Sequence, residues 1–211
     1  MPIRMTMAGL KNIVLLSLLL YSCAIRHSRT PANNPIDRCK SALSSIISNT
    51  SLDRRSLTVP QNTARYQMLT QYIGENSLDL EIPVIYLDKT QRAQYEIFIN
   101  SDGLIVDQSG EPLTSPLFGN RPREAIYVVS PEGKIYISYQ TPFDNFYHSS
   151  FLSGGDVIGA GLITFHKGTI QTLSNESGHY HPPMESLKTL MTLFAQKKVQ
   201  IMNVFAVKEF D

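Results

Sequence analysis

Three pairs of β-rich segments follow one another between residues 95 and 174, each folded about its own turn, and they leave the chain few architectures. "YEIFI" and "LIVDQ" flank an Asp102-Gly103 turn, "AIYVV" and "KIYIS" flank a turn at Gly133, and "GLITFHKGTIQTLS" pivots on Lys167-Gly168. Apolar runs on both sides of a short glycine-containing turn signal a hairpin, because glycine accepts the positive φ that a tight turn needs. Three hairpins in succession predict a mostly antiparallel sheet, since parallel neighbours need crossovers of about a dozen residues. Helices are expected on either flank. "PIDRCKSALSSIISN" spaces Cys39, Leu43, Ile46 and Ile47 helically after Asp37, and "NTARYQMLTQYIG" stripes Tyr66, Leu69, Tyr72 and Ile73 before Gly74. "MESLKTLMTLFAQKK" puts Met184, Leu187, Leu190, Met191 and Phe194 on one face, and "QIMNVFAV" reads as a last strand. A loop is expected around "SLDRRSLTVPQ", and a short strand with a helical turn over 81–94. The predicted class is α+β, a mostly antiparallel sheet of successive hairpins covered by helices.

The N-terminus carries a second strong signal. Arg4 and Lys11 accompany an apolar run at residues 13–21, "IVLLSLLLY". That run falls short of the roughly 20 residues a membrane span needs and fits the core of a secretory signal. It leads into Leu20-Tyr21-Ser22-Cys23, which looks like the lipobox of a bacterial lipoprotein. The expected organisation is a signal peptide over 1–22, a lipidated Cys23 with a flexible tether to residue 35, and one α+β domain over 36–211. A cleaved signal without lipid, or an uncleaved anchor, are the alternatives. The chain has two cysteines. Lipid on Cys23 leaves Cys39 alone, whereas an unmodified Cys23 could bridge to it. Ala24 is not the aspartate that commonly retains lipoproteins in the inner membrane, so the cell envelope is the expected location and the outer membrane the favoured one. The membrane is then a partner through the lipid. A net charge of +1 and the lack of any basic run interleaved with aromatics argue against nucleic acid.

Residues 146–187 contain "HSSFLSGG", an Ala160-Gly161 pair inside a strand–turn–strand pattern, and "SGHYHP" just before a helix. In that order and spacing these segments resemble the core of the plant IQ-motif-containing calmodulin-binding proteins, which has related domains in fungi and bacteria. Weaker likeness extends upstream through "QRAQYEIFINSDGLIVDQSGEPL", so the resemblance spans about residues 88–207. No IQ motif occurs here, and calmodulin is therefore not expected as a partner. The resemblance supplies no chemistry of its own.

Three readings of the shared residues follow from their chemistry. In a binding module for a small polar ligand or a protein, Gly154 and Gly155 would let backbone N–H groups approach the ligand. His148, Ser177, Gly178 and Tyr180 would line the site ahead of a helix N-terminus. In an enzyme, a transferase or hydrolase on a small polar or nucleotide-like substrate, His179 would act as acid or base with Ser149 or Ser150 as its hydroxyl partner, and Glu176 would supply a carboxylate. In a structural surface protein the same residues would only specify the fold, with Gly178 taking φ > 0 in a turn and Gly159 and Gly161 marking a bulge. No cofactor and no metal are expected; His179 and His181, with His148 as a third, are the imidazoles a metal could use. The binding module is the reading adopted, with the enzyme second.

Overall fold

The computed structural model describes residues 53–139 and 144–206. The expected signal, Cys23, the tether, Cys39 and the helix after Asp37 lie outside the described residues. The strands are β1 (Glu96–Ile99), β2 (Ile105–Val106), β3 (Leu117–Phe118), β4 (Arg121–Pro122), β5 (Ala125–Val129), β6 (Ile135–Ser138), β7 (Gly159–His166), β8 (Thr169–Ser174) and β9 (Ile201–Phe205). The helices are α1 (Lys89–Ala93), α2 (His148–Leu152) and α3 (Met184–Gln196). Seven strands form one sheet in the order β2-β1-β6-β5-β7-β8-β9, while β3 and β4 make a separate hairpin.

The three hairpins are β1–β2, β5–β6 and β7–β8, all antiparallel as expected. At the β7–β8 turn both Lys167 (φ 48°) and Gly168 (φ 80°) are left-handed. Two positive φ values in a two-residue loop match the right-handed twist of the strands they join. The last strand departs from the pattern: β9 runs parallel to β8, with α3 as the crossover. The class is α+β, and the sheet is mostly antiparallel.

The central strands are buried on both faces, so β5 and β6 read as nearly continuous apolar runs and not as alternating ones. One face packs Tyr127, Val129, Ile163 and Phe165 against Leu187, Leu190, Leu193 and Phe194 of α3. The other packs Val128, Tyr136 and Ala160 under Phe146, Phe151, Val157 and Tyr180. On this second face the Phe146 and Phe151 rings meet edge-on at 5.1 Å, and Tyr95 stacks on Phe146 at 5.2 Å. The fully buried Phe146 and Phe151 rings each contribute about 1.5–3 kcal/mol.

Several expectations are corrected. Residues 62–74 are not a helix. Tyr66 exchanges both backbone hydrogen bonds with Val157, at 2.7 and 3.0 Å, and only a 3₁₀ turn at Thr70–Tyr72 follows. Backbone pairing with a distant segment overrides the local helical stripe. On α3, Met184 and Met191 are exposed, and Leu193 with Ser186 completes the buried face instead. Residues 81–87 form no strand, although α1 follows with Asp88 as its cap: the Asp88 carboxylate accepts from the N–H groups of Thr90 and Gln91 at 2.7 and 2.8 Å. Gly159 and Gly161 mark no bulge, since the register shift of β7 falls at Thr164/Phe165. Among the described residues, no helix is long and apolar enough to cross a membrane.

Candidate functional site

The "HSSF" segment is α2, which lies on the second face of the sheet. Its start is fixed by Ser150, whose Oγ accepts the Tyr147 N–H at 3.0 Å. Its end is fixed by Ser153, which takes a left-handed φ of 54° and donates its hydroxyl to the Leu87 carbonyl at 2.9 Å. This places His148 in the first turn, buried, with Nε2 3.0 Å from the Gly161 carbonyl. A carbonyl only accepts, so Nε2 carries the hydrogen and donates. Burial pushes the imidazole pKa down to about 4; the Gly161 bond opposes that shift, and His179 adds to it. His148 is therefore a neutral strut between helix and strand at neutral pH. Gly161 is demanded by crowding: a Cβ there would sit 2.0 Å from the Ser174 carbonyl oxygen, which also accepts the Tyr127 hydroxyl at 2.8 Å.

The "SGHY" segment reaches the same place from the other side. His179 is buried between two aromatic rings, Tyr72 at 4.2 Å and Tyr147 at 4.9 Å. Its Nε2–H donates to Glu75 Oε2 at 2.9 Å, and its backbone carbonyl accepts the Leu69 N–H at 2.9 Å. The second oxygen of Glu75 accepts the Tyr86 hydroxyl at 3.1 Å. Burial, reinforced by the Glu75 charge, pushes the Tyr86 phenol up to about 12. Tyr180 donates its hydroxyl to the Gly155 carbonyl at 2.8 Å, tying "SGHY" directly to the glycines after α2. Burial raises the Tyr180 pKa as well.

The two segments thus converge, and His148 and His179 lie close enough to interact electrostatically. Other candidates fall elsewhere. The Ser149 hydroxyl is buried with no protein partner, and Ser150 is committed to its cap, so neither bonds His179. Glu176 is exposed and lines a different depression with Ser174 and Phe205. Ser177 is buried and its hydroxyl has no protein partner. Gly178 does not take positive φ; His181 does, at 38°. His181 is exposed while His179 is buried, so the two imidazoles sit in different surroundings. Among the described residues no three His, Cys, Asp or Glu side chains cluster as metal ligands would. Gly154 is left-handed, at φ 76°, and a Cβ there would approach Tyr86 Oη to 3.0 Å. Its small size serves the packing of Tyr86.

Glu75, Tyr72, Tyr86 and Tyr147 complete this cluster, and nothing in their spacing marks them. A single carboxylate just past a glycine carries no motif, and only the fold brings it to His179. In chemical terms the arrangement is a junction. Imidazole, carboxylate and phenol groups satisfy one another, which is what burial of such groups requires. It fastens the segment around residues 66–87 to α2 and to the loop before α3.

Comparison with known proteins bears on the same residues. Residues 91–187, just under half of the chain, match the family described as the IQ motif-containing protein middle domain. Curated relatives include IQ domain-containing proteins of Arabidopsis thaliana. IQM3 is 32% identical over 119 residues, 56% of this chain and 26% of its own. IQM5 is 32% identical over 121 residues, 57% and 23%, and IQM2 is 28% identical over 119 residues, 56% and 20%. The chain therefore covers about a quarter of the length of the relatives it matches. No solved structure matches it significantly. The expected resemblance holds over the segments that carried it, and His148, Gly161 and His179 lie inside the matched region while Glu75 lies outside it.

Proposed function

We propose that this chain is a protein-binding module of the bacterial cell envelope, held by lipid on Cys23, with the outer membrane favoured, and that it presents residues 73–85 to its partner. The observation that carries this reading is the surface of that segment. Ile73 is 71% and Leu78 92% exposed, and Leu80, Ile82 and Ile85 are exposed as well. So many large apolar side chains on one short loop mark an interaction surface. The loop is nonetheless ordered. The Val84 N–H closes it on the Glu75 carbonyl at 2.9 Å, and the N–H groups of Ile85 and Leu87 bond Asn145 and Ser150, both at 3.0 Å. It is a compact loop with adjoining ends, a type that frequently carries function. The Glu75–His179 contact clamps its base, so the motif segments serve binding by positioning and not by touching the partner.

Charge supports a protein over a lipid surface. Asp79 and Glu81 are exposed on the loop, and no Lys or Arg lies between residues 66 and 88. An anionic membrane would repel such a segment, whereas an apolar groove rimmed by basic residues would suit it. With no IQ motif in the chain, calmodulin is not the partner proposed. The enzyme reading needs a hydroxyl on His179, and neither candidate supplies it: the Ser149 hydroxyl has no protein partner and Ser150 accepts the Tyr147 N–H.

The test is photo-crosslinking in the living cell from a reactive residue at position 78, with position 109 in the β2 turn as the control. The expected result is one discrete adduct from position 78, lost when Leu80 and Ile82 are both changed to Asp. No adduct, or one that survives those substitutions, would rule the loop out as the binding surface.

A further inference from the structure

The helix α2 covers only part of its sheet face, and the remainder forms a groove of opposite charges. Backbone register sets its floor: Thr164 lies opposite Thr172, and two residues earlier on β7 comes Leu162, whose N–H donates to the Ser174 hydroxyl of β8 at 3.1 Å. Side chains two apart on one strand are about 7 Å apart. Over the threonines stands the β3–β4 hairpin, enclosing a depression of about 730 Å³ lined by Phe118, Arg121, Arg123, Glu124, Thr164 and Thr172. A second depression of about 340 Å³ shares Glu124 and Thr172 and adds Leu162, Ser174, Glu176 and Phe205. The two adjoin at these shared residues. Two guanidinium groups mark one end, Glu124 lies in the middle, and Glu176 with Phe205 marks the other.

The polar groups here are not consumed as they are around His179. Among the described residues neither Arg121 nor Arg123 pairs with a carboxylate, and Glu124 and Glu176 pair with no base. Arg123 gives one N–H to the Tyr139 carbonyl, which holds the guanidinium in place and leaves its other donors. The Thr164 and Thr172 hydroxyls bond each other at 2.7 Å, which uses one hydrogen of the two. Phe118 is 81% exposed on a two-strand hairpin that an isolated pair of short strands could not stabilise alone.

We propose that this groove binds a short peptide zwitterion, its carboxylate on Arg121 and Arg123 and its ammonium toward Glu124 and Glu176, with Phe118 and Phe205 as apolar walls. A pair of arginines offers planar forks matched to a carboxylate. The hydroxyl-lined floor suits peptide groups, and the volume lies within the range of small-molecule sites. The surface is separate from the 73–85 loop, so this proposal stands or falls independently of the protein partner.

The test uses the chain as the cell processes it, with the tripeptide Ala-Phe-Ala followed by NMR titration. Three forms are compared: free, N-acetylated, and C-amidated. The free form is expected to bind at least about tenfold more tightly than either blocked form. Arg121→Gln should erase the advantage of the free carboxylate, and Glu176→Gln that of the free ammonium. Binding of all three forms with equal affinity would overturn the proposal, as would a free peptide that binds both variants as tightly as it binds the parent. No binding of the free form up to roughly 10 mM, above the weakest affinities such a site has use for, would overturn it too.

Discussion

The buried His148 makes the stability of this protein depend on pH in a way one substitution isolates. In the folded chain its pKa is pushed down to about 4 from an ordinary 6.5, chiefly by burial. Between those values the unfolded chain binds a proton that the folded chain refuses, so stability falls as pH falls through 6.5 and the loss levels off below 4. A tenfold change in proton affinity corresponds to about 1.4 kcal/mol, so the full penalty approaches about 3 kcal/mol. By pH 5 about 2 kcal/mol of it is present. His148→Gln keeps an N–H that can donate to the Gly161 carbonyl but cannot take up a proton. At pH 7.5 the variant should be less stable than the parent by about 1 kcal/mol, the scale of one imperfect hydrogen bond. At pH 5 it should equal or exceed the parent. Urea unfolding followed by circular dichroism at both pH values measures this directly. Parallel pH dependence in parent and variant would refute the reasoning, because it would mean that His148 titrates alike in both states.

Two glycines two positions apart on β7 predict different costs. Gly161→Ala would set a Cβ 2.0 Å from a backbone oxygen and should cost about 3 kcal/mol or more, whereas at Gly159 the nearest atom is Leu190 Cδ1 at 2.4 Å. A leucine side chain can turn away, so Gly159→Ala should cost about 1–3 kcal/mol by the same unfolding assay. Tyr127→Phe removes the hydroxyl on the Ser174 carbonyl inside the core, and thermal unfolding should register a loss of about 1–3 kcal/mol. Asp88→Ala removes two cap bonds from α1 and should cost about 1 kcal/mol, read as faster amide exchange at Thr90 and Gln91.

How far the sequence disclosed this molecule depended on how local each feature is. The hairpins were legible because a turn residue and its flanking strands are neighbours in the chain; Lys167 and Gly168 occupy the predicted turn, both left-handed. The parallel β8–β9 pair was not, because nothing in "QIMNVFAV" states which neighbour it joins. The stripe of Tyr66, Leu69, Tyr72 and Ile73 misled for a related reason. Tyr66 serves a backbone bridge to Val157, Leu69 a backbone bond to His179 and Tyr72 a ring contact with the same histidine, so three tertiary contacts at every third residue imitated helical spacing. Both site readings required the two motif segments to meet, and Tyr180 joins them through the Gly155 carbonyl. Their chemistry was not foreseen, because the carboxylate that engages His179 is Glu75, remote in sequence and unmarked.

The claim on which the function rests is that the motif residues clamp the presenting loop. Amide hydrogen exchange in Glu75→Ala tests it most directly, since that change removes the bonds to both His179 and Tyr86. If the clamp holds the loop, the N–H groups of Leu69, Val84, Ile85 and Leu87 should exchange at least about tenfold faster while those of β5 and β7 keep their protection, the pattern of a local opening. Unchanged exchange at those four amides, or equal acceleration throughout the sheet, would contradict it.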